Sequence, residues 1–230
     1  MDRVVVLVGL ALSFGGFEAV SRLRDRLGRP SDGLEAHAWK WLVPAVVAGY
    51  VLAVEGRPLS SVGWTFAGPL PFAYHTAVGL AVMLGSAILL SPLWEALGTA
   101  DAMQDGMAAF TGFSVAERLV VAGTAGVTEE VPYRGYAVER VTALTGSPLL
   151  AAAVSLVAFL AAHVGEHWSR AAAVQMAQPT VVLLALYLWT HSLPVVMAVH
   201  ALNDAVGLLL ADRAGDDGSG ETRTDPTAGP

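Results

Sequence analysis

The 230 residues are 54% hydrophobic and only 14% charged, whereas about 25% of the residues in a soluble domain are charged. This composition excludes an ordinary soluble domain and predicts a membrane protein. Cysteine is absent, which excludes disulfide bonds and leaves histidines and carboxylates as the strong metal ligands. The net charge of −7 argues against nucleic acid as a partner.

Two apolar segments come first in the chain. Residues 4–20 are not followed by a convincing small-x-small cleavage site, so we interpret them as an uncleaved span rather than a signal peptide. Four arginines within residues 22–29 predict a cytoplasmic loop according to the positive-inside rule. The second segment, residues 39–54, begins with two tryptophans, which favour the membrane interface.

Loops and apolar segments alternate through the rest of the chain. Residues 56–74 contain several Pro, Gly and Ser and predict a loop. Residues 75–97 are apolar and long enough to cross a bilayer, which takes about 20 residues, and residues 98–113 predict a second loop. Four more apolar segments follow at residues 120–127, 148–162, 172–189 and 193–210. Seven apolar segments predict an all-α, polytopic transmembrane helical bundle with about seven spans and a hydrophilic cavity within the membrane.

A charged sequence, TEEVPYRGY at residues 128–136, directly follows the fourth apolar segment. The helix that carries it should begin at Ser114, which forms a capping-box pattern with Glu117. Pro132 has no N–H, so the carbonyl of Thr128 loses its helical partner and the helix should kink or become irregular. Charge next to a membrane-grade apolar segment is costly and indicates a functional site.

The two adjacent carboxylates of this sequence should have different roles, because neighbouring helical residues point about 100° apart. Arg134 lies one turn after Glu130, can pair with it and can hold it ionised. Glu129 has no such partner in the sequence and is the better candidate for a general base. The alternative is an interfacial ion-pair network that caps a span.

Later apolar segments carry polar residues that could meet these carboxylates. His163 ends one segment, and His200 lies within the last. Asp204 is one turn after His200 and shares its face, so it could orient the imidazole or help to hold a cation. Taken alone, each histidine is more often a helix histidine bonded to a carbonyl. Asn203 points elsewhere, and we expect it to make a helix–helix hydrogen bond.

A competing motif overlaps the first histidine. The segment from His163 to His167, which includes Glu166, fits H-x-x-E-H, the inverted zinc-protease signature. That signature requires one regular helix, which Gly165 interrupts. A five-residue pattern also matches many unrelated sequences.

These residues resemble the CAAX-protease and bacteriocin-processing family of intramembrane proteases, also called the abortive-infection family. The family has three motifs, E-E-x-x-x-R, F-x-x-x-H and H-x-x-x-N or H-x-x-x-D. The chain matches them in order at Glu129 to Arg134, Phe159 to His163 and His200 to Asp204. The resemblance extends over roughly residues 63–210.

The resemblance implies hydrolysis of peptide bonds in membrane-associated substrates, such as prenylated CAAX-like proteins or bacteriocin and other peptides. Glu129 would activate water with assistance from His163, whereas His200 and Asp204 would stabilise the oxyanion or complete a metal site. The implied catalytic set is Glu129, Glu130, Arg134, His163, His200 and Asp204.

The cofactor implied by the resemblance is Zn²⁺ or another divalent metal. The implied ligands are Glu129, His163, His200 and Asp204, with one position left for water. A metal-free mechanism driven by the glutamate is also open. Asp204 favours the metal, because an ionised Asp accepts hydrogen bonds and cannot donate one to an oxyanion.

We expect residues 1–62 to form variable N-terminal transmembrane helices, residues 63–212 the protease core, and residues 213–230 a disordered acidic tail. The protein should be integral to the plasma membrane, with the lipid bilayer and a membrane-associated peptide or protein as partners. Two other classes stay open. A non-catalytic immunity or scaffold protein could keep the polar residues, and a proton or ion carrier would also place Glu, His and Asp in the membrane.

Overall fold

The computed structural model describes residues 2–164 and 169–217, and the regular structure within those two ranges is entirely helical. This confirms the predicted all-α fold. The α-helices are α1 (Arg3–Arg26), α2 (Gly33–Lys40), α3 (Leu42–Ala53), α4 (Pro69–Ala96), α5 (Ala100–Ala108), α6 (Val115–Thr128), α7 (Glu139–Thr145), α8 (Pro148–His163), α9 (Arg170–Thr190) and α10 (Leu193–Asp217). A short 3₁₀-helix spans Leu59–Val62, and a π-helix spans Val131–Val138 between α6 and α7.

The seven predicted apolar segments fall on seven of these helices, namely α1, α3, α4, α6, α8, α9 and α10. Four of the described helices are long and apolar enough to cross a membrane unaided: Arg3–Arg26, Pro69–Ala96, Arg170–Thr190 and Leu193–Leu210. On α4, Leu70, Ile88 and Leu89 are 81%, 75% and 78% exposed. Apolar side chains that point away from the bundle find their partners in lipid, so the chain is an integral membrane protein.

Two predicted loops are shorter than the composition indicates. The predicted loop at residues 56–74 ends early, because α4 already begins at Pro69. Proline is common in the first turn of a helix, where the backbone N–H groups have no helical partner in any case. The loop at residues 98–113 contains α5. At the other end of the chain, α10 extends to Asp217, and residues 218–230, which make up most of the predicted tail, lie outside the described residues.

Close packing of α6 against α10 sets the distance across the centre of the bundle. A Cβ added to Gly126 on α6 would lie 2.8 Å from both the Cβ and the backbone N of Ala201, and 2.9 Å from the carbonyl oxygen of Met197. Small residues allow this approach between helices in membranes. The contact places the end of α6, where the charged sequence begins, beside the middle of α10.

A buried ion pair fixes the chain on the far side of that charged sequence. The Arg140 guanidinium on α7 is 1% exposed and donates to both oxygens of Glu55, after α3, and to the carbonyl of Ser61 at 2.8 Å. The Tyr136 hydroxyl donates to Glu55 at 2.7 Å. The π-helix is therefore held at one end by α6 and at the other by this cluster.

Candidate active site

The helix that leads to the site begins as predicted. Ser114 caps α6, its hydroxyl accepts the N–H of Glu117, and the Glu117 carboxylate accepts the N–H of Ser114 at 2.8 Å. The hydrogen bonds from the Ser114 hydroxyl and N–H lower the pKa of Glu117. From this fixed start, α6 runs to Thr128, and Glu129 follows as its C-cap.

The predicted irregularity at Pro132 takes the form of a π-helix. The Tyr133 N–H still reaches the Glu129 carbonyl at 3.2 Å, but Val131–Val138 is wound as a π-helix and every residue of it is buried. Proline removes the N–H that would continue the α-helix, and the wider winding gives the following donors other carbonyls. The Tyr133 carbonyl accepts a hydrogen bond from the Ser155 hydroxyl at 2.8 Å. Short π-helical insertions are frequent at functional sites.

Glu129 is 7% exposed and faces two other helices. Its Oε2 is 3.5 Å from Nε2 of His163 at the end of α8. Its Oε1 is 3.8 Å from Nζ of Lys40 at the end of α2. The other ring nitrogen of His163, Nδ1, is 2.8 Å from the Phe159 carbonyl. Since a carbonyl only accepts, this contact with Phe159 requires a proton on Nδ1 and leaves Nε2 as the nitrogen that faces Glu129.

Glu130 is fully buried and has a different set of partners. Its Oε1 lies 2.6 Å from Nδ1 of His200 and 2.9 Å from Nη1 of Arg134, which is also fully buried. Nε2 of His200 lies 3.3 Å from Oδ2 of Asp204. The Arg134 guanidinium stands 4.3 Å from the centre of the Phe159 ring, within the range of a cation–π interaction. Glu130, His200 and Asp204 thus form one continuous chain of contacts.

Several polar atoms around these contacts are buried and have no hydrogen-bond partner among the described residues. They are Oε2 of Glu130, the hydroxyls of Thr128 and Tyr133, and Nε and Nη2 of Arg134. Buried polar groups are normally satisfied by protein or by water. These atoms therefore make the centre of the bundle polar.

A metal at the implied ligands stays a prediction. No group of three or more His, Asp or Glu side chains among the described residues is arranged to hold an ion. Both nitrogens of His200 face carboxylates, and the ammonium of Lys40 lies beside Glu129, where a positive charge opposes a cation. The proposed zinc ligands thus occur as two separate pairs, Glu129 with His163 and His200 with Asp204.

The structure also bears on two weaker expectations. Glu166 and His167 of the H-x-x-E-H pattern lie outside the described residues, whereas His163 of that pattern faces Glu129. Among the described residues, Asn203 makes no hydrogen bond to another helix. Instead, its amide donates to its neighbour Asp204 at 3.3 Å.

Lys40 is the residue near Glu129 that sequence reasoning missed. It is the only lysine of the chain and lies between Trp39 and Trp41 at the start of an apolar segment. A lysine in that position ordinarily marks the membrane interface. One signal could have identified it: the other twelve basic residues of the chain are all arginines, and only this position has a lysine.

A helical membrane protein in which buried carboxylates meet imidazoles from other helices has the groups needed for acid–base hydrolysis. Residues 111–206 match a family model described as type II CAAX prenyl endopeptidase, Rce1-like. The matched segment contains all three motifs, so the resemblance to the CAAX-protease family is confirmed there. The match indicates a membrane-embedded protease. No curated protein and no solved structure matches the chain.

Proposed function

We propose that this protein is an intramembrane endopeptidase that hydrolyses a peptide bond of a membrane-associated substrate, with Glu129 as the general base. The observation that carries the proposal is the contact of the nearly buried Glu129 carboxylate with the His163 imidazole at 3.5 Å, beside a second carboxylate held by a second imidazole. The two carboxylates lie at the junction of α6 with the π-helix, and the imidazoles come from α8 and α10. The matched family supports the same reaction type.

The contacts of the two glutamates favour Glu129 rather than Glu130 as the general base. Glu130 is tied to Arg134 at 2.9 Å and to His200 at 2.6 Å, so its charge is neutralised and its position fixed. Glu129 has its partners at 3.5 and 3.8 Å, beyond ordinary hydrogen-bond length. Its oxygens therefore stay open to a water molecule, as a general base requires.

His163 is arranged to share the proton. A water about 2.8 Å from both Glu129 Oε2 and His163 Nε2 would form a triangle with them. As its oxygen bonds to the substrate carbonyl carbon, its proton passes to Glu129. When the carbon–nitrogen bond breaks, the protonated pair returns that proton to the leaving amine, which restores the site.

The substrate we propose is a peptide that the bilayer holds near the site. The support is the family description, which names prenyl endopeptidases, and the apolar outer surface of the helices. A lipid-modified CAAX-like peptide and an apolar bacteriocin-like peptide both fit this class. The plasma membrane is the proposed location.

The test compares peptide cleavage by the purified protein in liposomes, with farnesylated and unmodified fluorogenic peptides. Glu129→Gln keeps the size of the side chain but removes the base, so kcat should fall by about 10²- to 10⁴-fold. Glu95→Gln, a change of an exposed glutamate at the end of α4, is the matched control and should leave turnover unchanged. Full turnover in Glu129→Gln would remove the proposal, and a preference for the farnesylated peptide would identify the substrate class.

A further inference from the structure

Lys40 lies at the site although it belongs to a part of the chain outside the matched family segment. Its ammonium is 3.8 Å from Oε1 of Glu129, the oxygen that His163 does not face. The side chain is 36% exposed, so it is accessible from outside the bundle as well as close to the carboxylate. A substrate that approaches Glu129 would meet this ammonium.

The position of Lys40 is fixed by its neighbour in the chain. Trp41 donates from its indole nitrogen to the hydroxyl of Thr124 on α6 at 3.3 Å. Thr124 is one turn before Thr128 and the charged sequence. The end of α2 is therefore attached to the same helix that presents Glu129, which favours a lasting relation between the lysine and the carboxylate.

The site needs a donor for the negative charge that develops on the substrate. The family resemblance implies His200 in this role, but Glu130 and Asp204 face its two ring nitrogens. To donate to a substrate, His200 would have to turn away from one of these carboxylates. That would leave a buried carboxylate without its partner, which costs free energy. Lys40 has three N–H donors, a full positive charge and a flexible stem.

We propose that Lys40 is a catalytic residue whose ammonium stabilises the oxyanion of the tetrahedral intermediate. This inference rests on the proposed peptidase function. As the water activated by Glu129 bonds to the carbonyl carbon, the carbonyl π electrons move to the oxygen, and Lys40 donates a hydrogen bond to it. Collapse of the intermediate re-forms the carbonyl, breaks the carbon–nitrogen bond and passes the proton from Glu129 to the amine.

The absence of cysteine from the chain permits a rescue experiment at this single position. Lys40→Cys should lower kcat by about 10²- to 10³-fold, the usual effect of removing one oxyanion donor, with KM nearly unchanged. Treatment with 2-bromoethylamine converts the thiol to an aminoethyl thioether, which restores the ammonium at nearly the original length, and should recover most of kcat. Treatment with iodoacetamide adds a neutral group of similar size and should not.

Two controls distinguish an oxyanion role of Lys40 from a general effect of positive charge and from a failure of the peptidase function itself. Arg29→Met removes a positive charge from the segment before α2, where Arg29 pairs with Glu35 at 2.7 Å, and should leave kcat unchanged. A wild-type kcat in Lys40→Cys, a rise in KM alone, or equal recovery with both reagents would overturn the oxyanion role. If the wild-type protein itself cleaves no peptide, or Glu129→Gln cleaves normally, the proposed function fails instead.

Discussion

Glu129 and Glu130 are neighbours in the chain but serve different ends, because one helical step rotates the side chain by about 100°. Glu130 turns into the interior and joins Arg134 and His200, whereas Glu129 turns towards His163 and Lys40. The first is enclosed by close partners and the second is more loosely held. We therefore predict that Glu130 matters mainly for stability and Glu129 mainly for turnover.

The prediction at the residue scale concerns Glu130→Gln. The change leaves the Arg134 guanidinium, which is fully buried, without its counter-charge, and breaking a buried pair in this way costs about 3–5 kcal/mol. Thermal unfolding in detergent, followed by circular dichroism, should therefore show a large drop in Tm. Glu129→Gln, whose partners lie farther away, should shift Tm much less while lowering kcat by about 10²- to 10⁴-fold. Equal Tm values for the two variants would contradict this division.

The sequence predicts the site residues that are polar or charged within an apolar segment. His163, His200 and the two glutamates stand in apolar helices, and their helical spacing predicts the pairing of Glu130 with Arg134. Lys40 gave no such signal, because its partner Glu129 is distant in the sequence and a lysine near tryptophans fits a membrane interface. Which carboxylate meets which imidazole also depends on helix packing that no local pattern encodes.

At the scale of the element, the winding of the π-helix sets the direction in which the side chains of Arg134 and the following residues point. The apolar segments predict the long helices, and Pro132 predicts that the helix that follows α6 is irregular. That the irregularity is a π-helix could not be predicted, because it depends on hydrogen bonds to residues distant in the sequence. The Ser155 hydroxyl donates to the Tyr133 carbonyl, and Arg140 is held by the carbonyl of Ser61. The short helix α5 was missed because its polar and glycine-bearing sequence matches a loop equally well.

Pro132→Ala tests the role of this winding. The new N–H can bond to the Thr128 carbonyl and favours an α-helix, which would rotate Arg134 away from its place above Phe159. We expect kcat to fall at least tenfold, since small displacements in a site reduce rates strongly, while Tm stays the same or rises, because proline disfavours a helix interior.

The matched control for that variant is Pro92→Ala, which replaces the proline inside α4 at an exposed position. It should leave kcat unchanged, so the effect can be assigned to the π-helix rather than to proline removal in general. Normal turnover in Pro132→Ala would show that an α-helical winding serves the site equally well.

At the scale of the whole molecule, the site exists only because separate helices converge. Its groups come from α2, the α6–π-helix junction, α8 and α10, and lipid rather than water surrounds the apolar outer faces. The core that holds them together includes the interface of α6 with α10, where the hydrophobic effect between helices is weak in a bilayer and close packing takes its place. The distance between Glu130 and His200 depends on that interface.

Gly126→Ala should therefore disturb the site without touching it. The added Cβ would lie within 3 Å of Ala201 and of the Met197 carbonyl, and backbone atoms cannot move aside as a flexible side chain can, so α6 must shift away from α10. We expect a loss of about 1–3 kcal/mol in stability, as for other overpacked cores, together with reduced kcat. Gly123→Ala, on the same helix with nothing within 4 Å of its added Cβ, is the control and should keep wild-type Tm and turnover. If both alanines behave alike in thermal unfolding and peptide cleavage, the close approach of the two helices does not set the geometry of the site.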